Sequence, residues 1–268
     1  MAQQRIRLYQ GSVNDCSYLD NRAATNIYAD PHHPHPRAVY NQLIQRGFRR
    51  SGEFVYKPGC FDCTACVPVR IRCGEFTPRR TDRRNIARNQ ELRMELQPAR
   101  YTDAYFNLYK RYLRARHPGG GMDDPEPEDF ERFLLNPWGD ALFVVISHGD
   151  HVIGVAVTDA ISDGLSAVYT FFDPEEHTRG LGRYCILQQI ELCRSMSYQH
   201  LYLGYWVDGC RKMQYKTDFR PQEHFDGQRW VRIEPGVDIP DRTTSKPVQY
   251  RANTDHTCPQ APTVHVAE

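Results

Sequence analysis

One stretch of the chain, residues 58–89, constrains the fold most, because a cysteine-rich turn there runs directly into a concentration of arginines. Cys60, Cys63 and Cys66 follow C-x2-C-x2-C spacing, and a short alternating apolar strand comes next. Residues 70–88 hold seven arginines against two acidic residues, although the net charge of the whole chain is only +1. This local positive charge predicts a negatively charged partner, and the clustered cysteines predict a structural or redox site.

Composition places the chain among ordinary globular proteins. Its 268 residues, 40% hydrophobic and 25% charged, suffice for one large domain or two smaller ones. No window approaches the roughly 18 consecutive apolar residues of a membrane span, and residues 1–10 lack the apolar core of a secretory signal. We therefore expect a cytoplasmic protein with no membrane partner, whose nine cysteines are thiols or metal ligands rather than disulfides.

Hydrophobic periodicity predicts the order of the elements. In the first part we expect a helix over 37–46, a hairpin at Ser51-Gly52, a strand over 67–73 with its arginines on the open face, and a polar helix over 81–89. Further on, the pattern predicts helices over 102–117, 127–135, 182–196 and 210–215, with strands over 141–147, 152–160, 167–172, 200–206 and 229–233. The predicted division is an N-terminal subdomain over 1–98, a C-terminal domain over 99–240 and a flexible tail over 241–268.

This order predicts an α/β (α+β) layered fold. Hairpin strands followed by a helix behind Arg179-Gly-Leu-Gly182 have the order of an N-acyltransferase of the GNAT type, in which the glycine turn presents backbone N–H groups to an anion. Tyr184 stands where such a turn usually has a small residue. Its bulk argues against the pyrophosphate of acetyl-CoA and for another acyl donor.

The sequence resembles the aminoacyl-tRNA–protein transferases of the N-degron pathway. The resemblance rests on motifs spread over the ordered chain: Cys16-Ser-Tyr-Leu19, Arg49-Arg50-Ser51-Gly52, Tyr56-Lys57-Pro58, the cysteine turn with Pro68 and Arg70, residues 79–89, Thr170-Phe-Phe-Asp173-Pro174, Leu181-Gly182, Tyr202-Leu-Gly-Tyr-Trp206, Lys212-Met213-Gln-Tyr215-Lys216 and Phe219-Arg220-Pro221. The compact length is similar to the bacterial aspartate/glutamate leucyltransferase branch. The resemblance implies a GNAT-like core with a cysteine- and arginine-rich N-terminal subdomain, which moves leucine from leucyl-tRNA to proteins that begin with Asp or Glu.

Positive side chains are candidates for two tasks in such an enzyme. Phosphates of tRNA need a field of cations, and an acidic N-terminal side chain needs planar, bidentate arginine. We expect Arg70 and Arg72 to bind the acidic side chain, and five further arginines to bind tRNA: Arg79, Arg80, Arg83, Arg84 and Arg88. Other candidate substrate-binding residues are Cys16, Tyr18, Lys212, Tyr215 and Lys216, with Lys212 and Lys216 four apart on one helix face. A solvated surface is the alternative for the arginines, with a few ion pairs, and for Lys212 and Lys216.

The implied reaction is aminolysis of an activated ester, which requires alignment, a proton acceptor and an oxyanion donor but no cofactor. Asp173 is the candidate that holds or deprotonates the amine, and its alternative role is to cap the turn with Pro174. Tyr205 is the candidate donor to the oxyanion or the leaving oxygen. Tyr202 and Trp206 could stack on the terminal adenine, although aromatics in such a strand are more often core residues.

The cysteine turn has two interpretations. Cys60, Cys63 and Cys66, with Cys16 as a fourth ligand, could hold zinc or an iron–sulfur cluster, as the resemblance to longer family members implies. The other interpretation is a compact turn of buried thiols. Three activities compete with leucyl transfer: arginyl transfer from arginyl-tRNA, acetyl-CoA-dependent N-acetylation on the same fold, and RNA binding by a non-enzymatic zinc-ribbon-like protein.

Overall fold

The computed structural model describes residues 6–116, 124–139, 141–234 and 236, which form two compact units. The first unit takes the described residues up to Arg70 and those from Gly204 onward, and the second takes residues 71–203. The chain therefore changes unit inside two strands rather than near residue 98, where the sequence predicted a division. The predicted tail, residues 241–268, lies outside the described residues.

The first unit opens with short strands and one helix. Its elements are β1 (Leu8–Gln10), β2 (Asn14–Asp15), β3 (Ala23–Ala24), β4 (Asn26–Ala29), α1 (Pro36–Ile44), β5 (Arg49–Ser51), β6 (Phe54–Pro58) and the first residues of β7 (Cys66–Arg72). Strands β1, β4, β6 and β5 pair antiparallel in that order. Pro36 starts α1, and its apolar Val39, Leu43 and Ile44 are buried. The predicted helix and the hairpin at Ser51-Gly52 are confirmed.

The second unit alternates helices with longer strands. After β7 the elements are α2 (Arg80–Arg88), β8 (Arg93–Pro98), α3 (Asp103–Arg116), α4 (Pro127–Leu134), β9 (Ala141–His148), β10 (His151–Ile161), β11 (Gly164–Phe172), a 3-10 helix (Pro174–Arg179), α5 (Leu181–Ser195) and β12 (His200–Val207). Each long helix and strand lies within a few residues of its predicted position. The hairpin at Asp163-Gly164 is also confirmed, since Ile161 pairs with Gly164.

The strands of the second unit form a mixed sheet in the order β12–β11–β10–β9–β8. Strand β12 pairs parallel to β11, and the remaining neighbours pair antiparallel. Helices α3 and α4 cover one face, where Tyr109 meets Phe171 edge to face with 5.3 Å between ring centroids. Helix α5 lies on the other face, where Gln189 donates to Thr158 at 2.7 Å. This packing places Asp173 at the end of β11 and the glycine turn at the start of α5.

The chain then returns to the first unit through a 3-10 helix (Arg211–Asp218), β13 (Gln222–Phe225) and β14 (Trp230–Ile233). Strands β13 and β14 form an antiparallel hairpin. The sequence predicted β14 but not β13, because Gln-Glu-His has none of the apolar alternation of a strand. In the described part of the chain, no helix combines the length and the apolar character needed to cross a membrane.

Candidate functional site

The arginine cluster lies on α2 and its N-terminal cap. All five of its arginines are exposed (Arg79, Arg80, Arg83, Arg84 and Arg88). The opposite face of the helix is polar but buried, and it consists of Asp82 and Asn85, with Asn89 at the end of the helix. The helix therefore presents a positive surface to solvent while it is held from behind by polar side chains.

Hydrogen bonds hold α2 against the start of α5. The Asp82 carboxylate, fully buried, lies 2.6 Å from Nη2 of Arg183 and accepts the backbone N–H of Arg79 at 2.8 Å. Asn85 and Asn89 both donate to the carbonyl of Arg179, at 3.0 and 3.1 Å. Because these partners are buried and directional, the exposed arginines project from a fixed helix rather than from a loose loop.

The glycine turn before α5 is in contact with α2. Gly180 has a φ of +65°, and a Cβ there would meet Nδ2 of Asn85 at 2.9 Å. Tyr184, which we expected to obstruct a pyrophosphate, is instead buried, and burial raises the pKa of its hydroxyl. The close approach that glycine permits at residue 180 is thus used by a side chain of the protein itself.

Asp173 lies in a pocket of the second unit with a volume of about 810 Å³. Its Oδ2 accepts a hydrogen bond from Nη2 of Arg111 at 2.6 Å, and its Oδ1 accepts the N–H of Glu175 at 3.1 Å. The capping role considered for Asp173 is therefore present, and the second oxygen makes an ion pair at the pocket. Sequence reasoning missed Arg111, because it lies 62 residues away on α3 with no motif to mark it.

Arg70 is not on an open face, so that prediction is wrong. Its side chain is 10% exposed, and Nε lies 2.6 Å from Oε2 of Glu223, itself 11% exposed. The guanidinium also donates to Gln45 at 3.1 Å and lies 4.3 Å from the ring centroid of Trp230. Arg70 thus already binds an internal carboxylate. Its predicted role in reading an acidic N-terminus would require that carboxylate to be displaced.

Arg72, two residues further on, is exposed as predicted. Its side chain is 46% exposed and pairs with Glu75 at 2.9 Å. Both arginines lie on the same face of β7, because residues two apart in a strand point the same way. The contrast therefore comes from what covers each side chain: Glu223 and Trp230 cover and neutralise Arg70, whereas Arg72 pairs with the partly exposed Glu75.

Tyr205 and Lys216 are buried together in the first unit. The Tyr205 hydroxyl donates to the carbonyl of Gly47 at 2.9 Å, and burial raises its pKa well above the ordinary value. Lys216 donates to the Tyr205 carbonyl at 2.6 Å. The oxyanion role of Tyr205 would need this hydroxyl to leave Gly47, and it stays a prediction.

Lys212 and Lys216 do not share one helix face, so that expectation is wrong. Lys212 is exposed, whereas Lys216 is buried. The reason is that residues 211–218 form a 3-10 helix, in which three residues make a turn and positions four apart diverge. Tyr215, the other predicted binding residue here, is exposed.

The cysteine turn carries partly exposed thiols. Cys16, Cys60, Cys63 and Cys66 are all free and of intermediate exposure, and Tyr18 packs against the nearby core. Burial, with smaller contributions from Cys63 and Cys16, raises the pKa of the Cys60 thiol. Among the residues that the structure describes, which include these four cysteines, no group of three or more His, Cys, Asp or Glu side chains is arranged to hold a metal ion.

Comparisons with known proteins match most of the chain. Residues 14–84 match the family model described as arginine-tRNA-protein transferase, N terminus, and residues 104–226 match the corresponding C terminus. An aspartate/glutamate leucyltransferase of Stenotrophomonas maltophilia (strain R551-3) is 45% identical over 87% of this chain and 95% of its own length. The protein of that name from Thiobacillus denitrificans is 45% identical over 86% and 96%, and that from Pseudomonas aeruginosa (strain LESB58) is 42% identical over 85% and 97%.

A solved structure, the C-terminal DUF2156 domain of a lysylphosphatidylglycerol synthetase from Agrobacterium fabrum, is similar at 12% identity and a TM-score of 0.45, over 76% of this chain and 66% of that chain. That score is too low for this likeness to bear on the fold.

Proposed function

The chain belongs to the aminoacyl-tRNA–protein transferases, in the aspartate/glutamate leucyltransferase branch, and on that premise we propose that it transfers leucine from leucyl-tRNA to proteins that begin with Asp or Glu. The transfer marks those proteins for N-degron degradation. The observation that carries the proposal is identity of 42–45% with three leucyltransferases over at least 85% of the chain. Arginyl transfer is the second candidate, because the matching family models are described by that donor.

The fold proposed for the catalytic part is a GNAT-like core in the second unit, residues 71–203, which follows the cysteine-rich turn in the chain. Its support is the βαβ order of β11, α5 and β12, in which the two strands pair parallel and a glycine turn precedes the helix. The packing of Asn85 at Gly180 disfavours acetyl-CoA, because a pyrophosphate bound closely to that turn would compete with α2 for the same space.

The exposed face of α2 is the proposed tRNA-binding surface. Its five arginines are fixed by the buried polar face of the helix, and two of them are further oriented by backbone carbonyls. Arg83 donates to Pro78 at 2.6 Å, and Arg88 donates to Thr178 at 2.7 Å. Such a surface supplies the positive charge that a polyphosphate backbone requires.

The proposed chemistry is aminolysis. The α-nitrogen of the acceptor protein forms an amide bond with the leucyl carbonyl carbon, and the bond from that carbon to the 3′-terminal ribose oxygen breaks. The proton lost by the nitrogen passes to the departing oxygen, with the Asp173 carboxylate as the intermediate acceptor. Alignment of amine and ester supplies much of the rate enhancement, and the step needs no cofactor.

A donor–acceptor matrix tests the function. The purified protein is offered leucyl-tRNA, arginyl-tRNA or acetyl-CoA, each radiolabelled, with peptides that begin in Asp, Glu, Lys or Arg. We expect label only from leucyl-tRNA and only on the Asp and Glu peptides. Label from arginyl-tRNA on the same peptides would establish the second candidate, and label from acetyl-CoA alone would end both proposals.

A further inference from the structure

The pocket around Asp173 carries a pair of opposite charges that face a ligand-sized space. Helix α3, the hairpin between β9 and β10 and the 3-10 helix after Asp173 form its walls, and its volume of about 810 Å³ is in the range of small-molecule sites. The Arg111 side chain is 55% exposed and that of Asp173 is 14% exposed, with 2.6 Å between their ion-paired atoms. A ligand can therefore reach the arginine from solvent and the carboxylate from within the pocket.

Three other charged groups of the pocket are paired elsewhere (Glu176, Arg114 and Lys110), and Asp150 is exposed at the turn between β9 and β10. Glu176 binds Nε of Arg179 at 2.6 Å. Asp124, outside the pocket, accepts from Arg114 at 2.7 Å and lies 3.5 Å from Nζ of Lys110. Arg111 and Asp173 are thus the pocket's own opposed pair.

The balance of charge selects the kind of ligand. The lining carries three acidic residues (Asp150, Asp173 and Glu176) and three basic ones (Lys110, Arg111 and Arg114), so it lacks the excess of positive charge that a nucleic-acid backbone requires. A small zwitterion can instead satisfy Arg111 and Asp173 at once. Buried Leu108 and Ile153 line the same pocket and offer apolar contact to a methylene group.

We infer that this pocket binds the N-terminal residue of the acceptor protein, with Arg111 bonding to the acidic side chain and Asp173 to the α-ammonium group. The inference rests on the proposed function and names the part of the chain that selects its substrate. In an N-terminal Asp the nitrogen and the carboxylate carbon are separated by two carbon atoms, and in Glu by three. Both residues can therefore bridge two groups that lie side by side.

The geometry also explains rejection of near neighbours. An N-terminal Asn or Gln would present an amide in place of the carboxylate, and its N–H groups find no acceptor on a guanidinium. An acetylated N-terminus would present no cation to Asp173. Loss of either charge-assisted contact should weaken binding by about tenfold or more.

Peptide binding measured without tRNA tests the assignment. Isothermal titration would compare matched peptides that begin with Asp, with Asn and with N-acetyl-Asp, against the wild type and two variants. Arg111→Gln should abolish the preference for Asp over Asn, and Asp173→Asn should abolish the preference for the free amine. Asn at residue 173 keeps an oxygen for the N–H of Glu175, so the cap is preserved.

Two further variants serve as a control and as a substitute for Arg111→Gln. Arg132→Gln removes an exposed arginine that pairs with Asp129 on α4, away from the pocket lining, and should leave all three affinities within twofold. Should Arg111→Gln fail to fold, Arg111→Lys keeps the charge but loses the planar fork. It should bind the Asp peptide several-fold more weakly, and an unchanged affinity would overturn the assignment.

The outcomes separate the pocket from the reaction. Discrimination that persists in Arg111→Gln, with leucine transfer and KM for the Asp peptide as in the wild type, overturns the pocket and leaves the activity standing. Discrimination that depends on Arg111 in a protein that transfers no leucine supports the pocket and refutes the proposed function.

Discussion

At the scale of single residues, Arg70 and Arg72 show that burial decides how much an ion pair contributes to the free energy of unfolding. Arg70→Ala would leave Glu223 buried without its cation and would remove the stack on Trp230. We expect the free energy of unfolding to fall by about 3–5 kcal/mol. Arg72→Ala removes an exposed pair and should cost less than about 1 kcal/mol. Urea unfolding of both variants measures the difference, and equal losses would show that burial is not its cause.

Substitution of Gly204 separates the cost of a positive φ from the cost of a steric clash. Its φ is +79°, and a Cβ would lie 2.0 Å from Nη1 of Arg49. Gly204→Ala should therefore lose about 1–2 kcal/mol from backbone conformation and more from displacement of the guanidinium. Gly149→Ala is the matched control, because its φ is +58° and nothing lies within 4 Å of its Cβ. A loss no larger at Gly204 than at Gly149 would remove Arg49 from the explanation.

Partners distant in sequence explain which residue roles could not be predicted. The alternation in β7 correctly indicated a strand, but it placed Arg70 on an open face, because Glu223 lies 153 residues away in a strand without an apolar pattern. The sequence predicted the capping role of Asp173, because Pro174 follows it. Its pairing with Arg111 was not, since no local spacing connects them.

At the scale of elements, α2 behaves as predicted, and its polar back face gives the reason. A helix with so little apolar surface is stable here because Asp82, Asn85 and Asn89 bond to the region around α5. Sequence reasoning identified the helix and its exposed arginines. It could not predict that Asp82, Asn85 and Asn89 are buried, because nothing in a sequence distinguishes a buried polar side chain from an exposed one.

The α2 surface makes a quantitative prediction about tRNA. Replacing Arg80 and Arg84 together with Ala should weaken binding at low salt and reduce the slope of log K against log salt by about 2, one for each lost phosphate contact. The measurement is a salt titration of tRNA affinity. Arg132→Ala, on α4, is the control and should leave the slope unchanged. An unaltered slope in the double variant would place the tRNA elsewhere.

Considered as a whole, the molecule follows its sequence where periodicity is strong. The long helices and strands of the second unit were predicted because apolar residues recur along them. The division into units was not, since each change of unit occurs inside a continuous strand, where composition does not alter. The sequence motifs between Cys16 and Pro221 predicted the family, and the comparisons confirm it.

The buried thiol of Cys185 makes the free energy of unfolding of the whole molecule decrease at alkaline pH. Burial raises the pKa of Cys185 to about 12, whereas an unfolded cysteine ionises near pH 8.5. The folded state therefore keeps a proton that the unfolded state loses, and stability falls as pH rises from about 8.5 toward 12. Cys185→Ala should reduce this fall by about 1.4 kcal/mol per pH unit between pH 9 and 11. Denaturant titrations at several pH values measure it, and parallel curves would contradict it.

The interrupted first unit has a consequence for synthesis on the ribosome. Its two segments are separated in the chain by residues 71–203, so the part up to Arg70 emerges before the strands and helix that complete it. At about 5–20 residues per second, that nascent segment waits on the order of ten seconds for its partner. The intervening unit is continuous in sequence and can fold during the delay. Chaperones should therefore bind the part of the chain up to Arg70 for longest, because it is made first and its partner segment is made last.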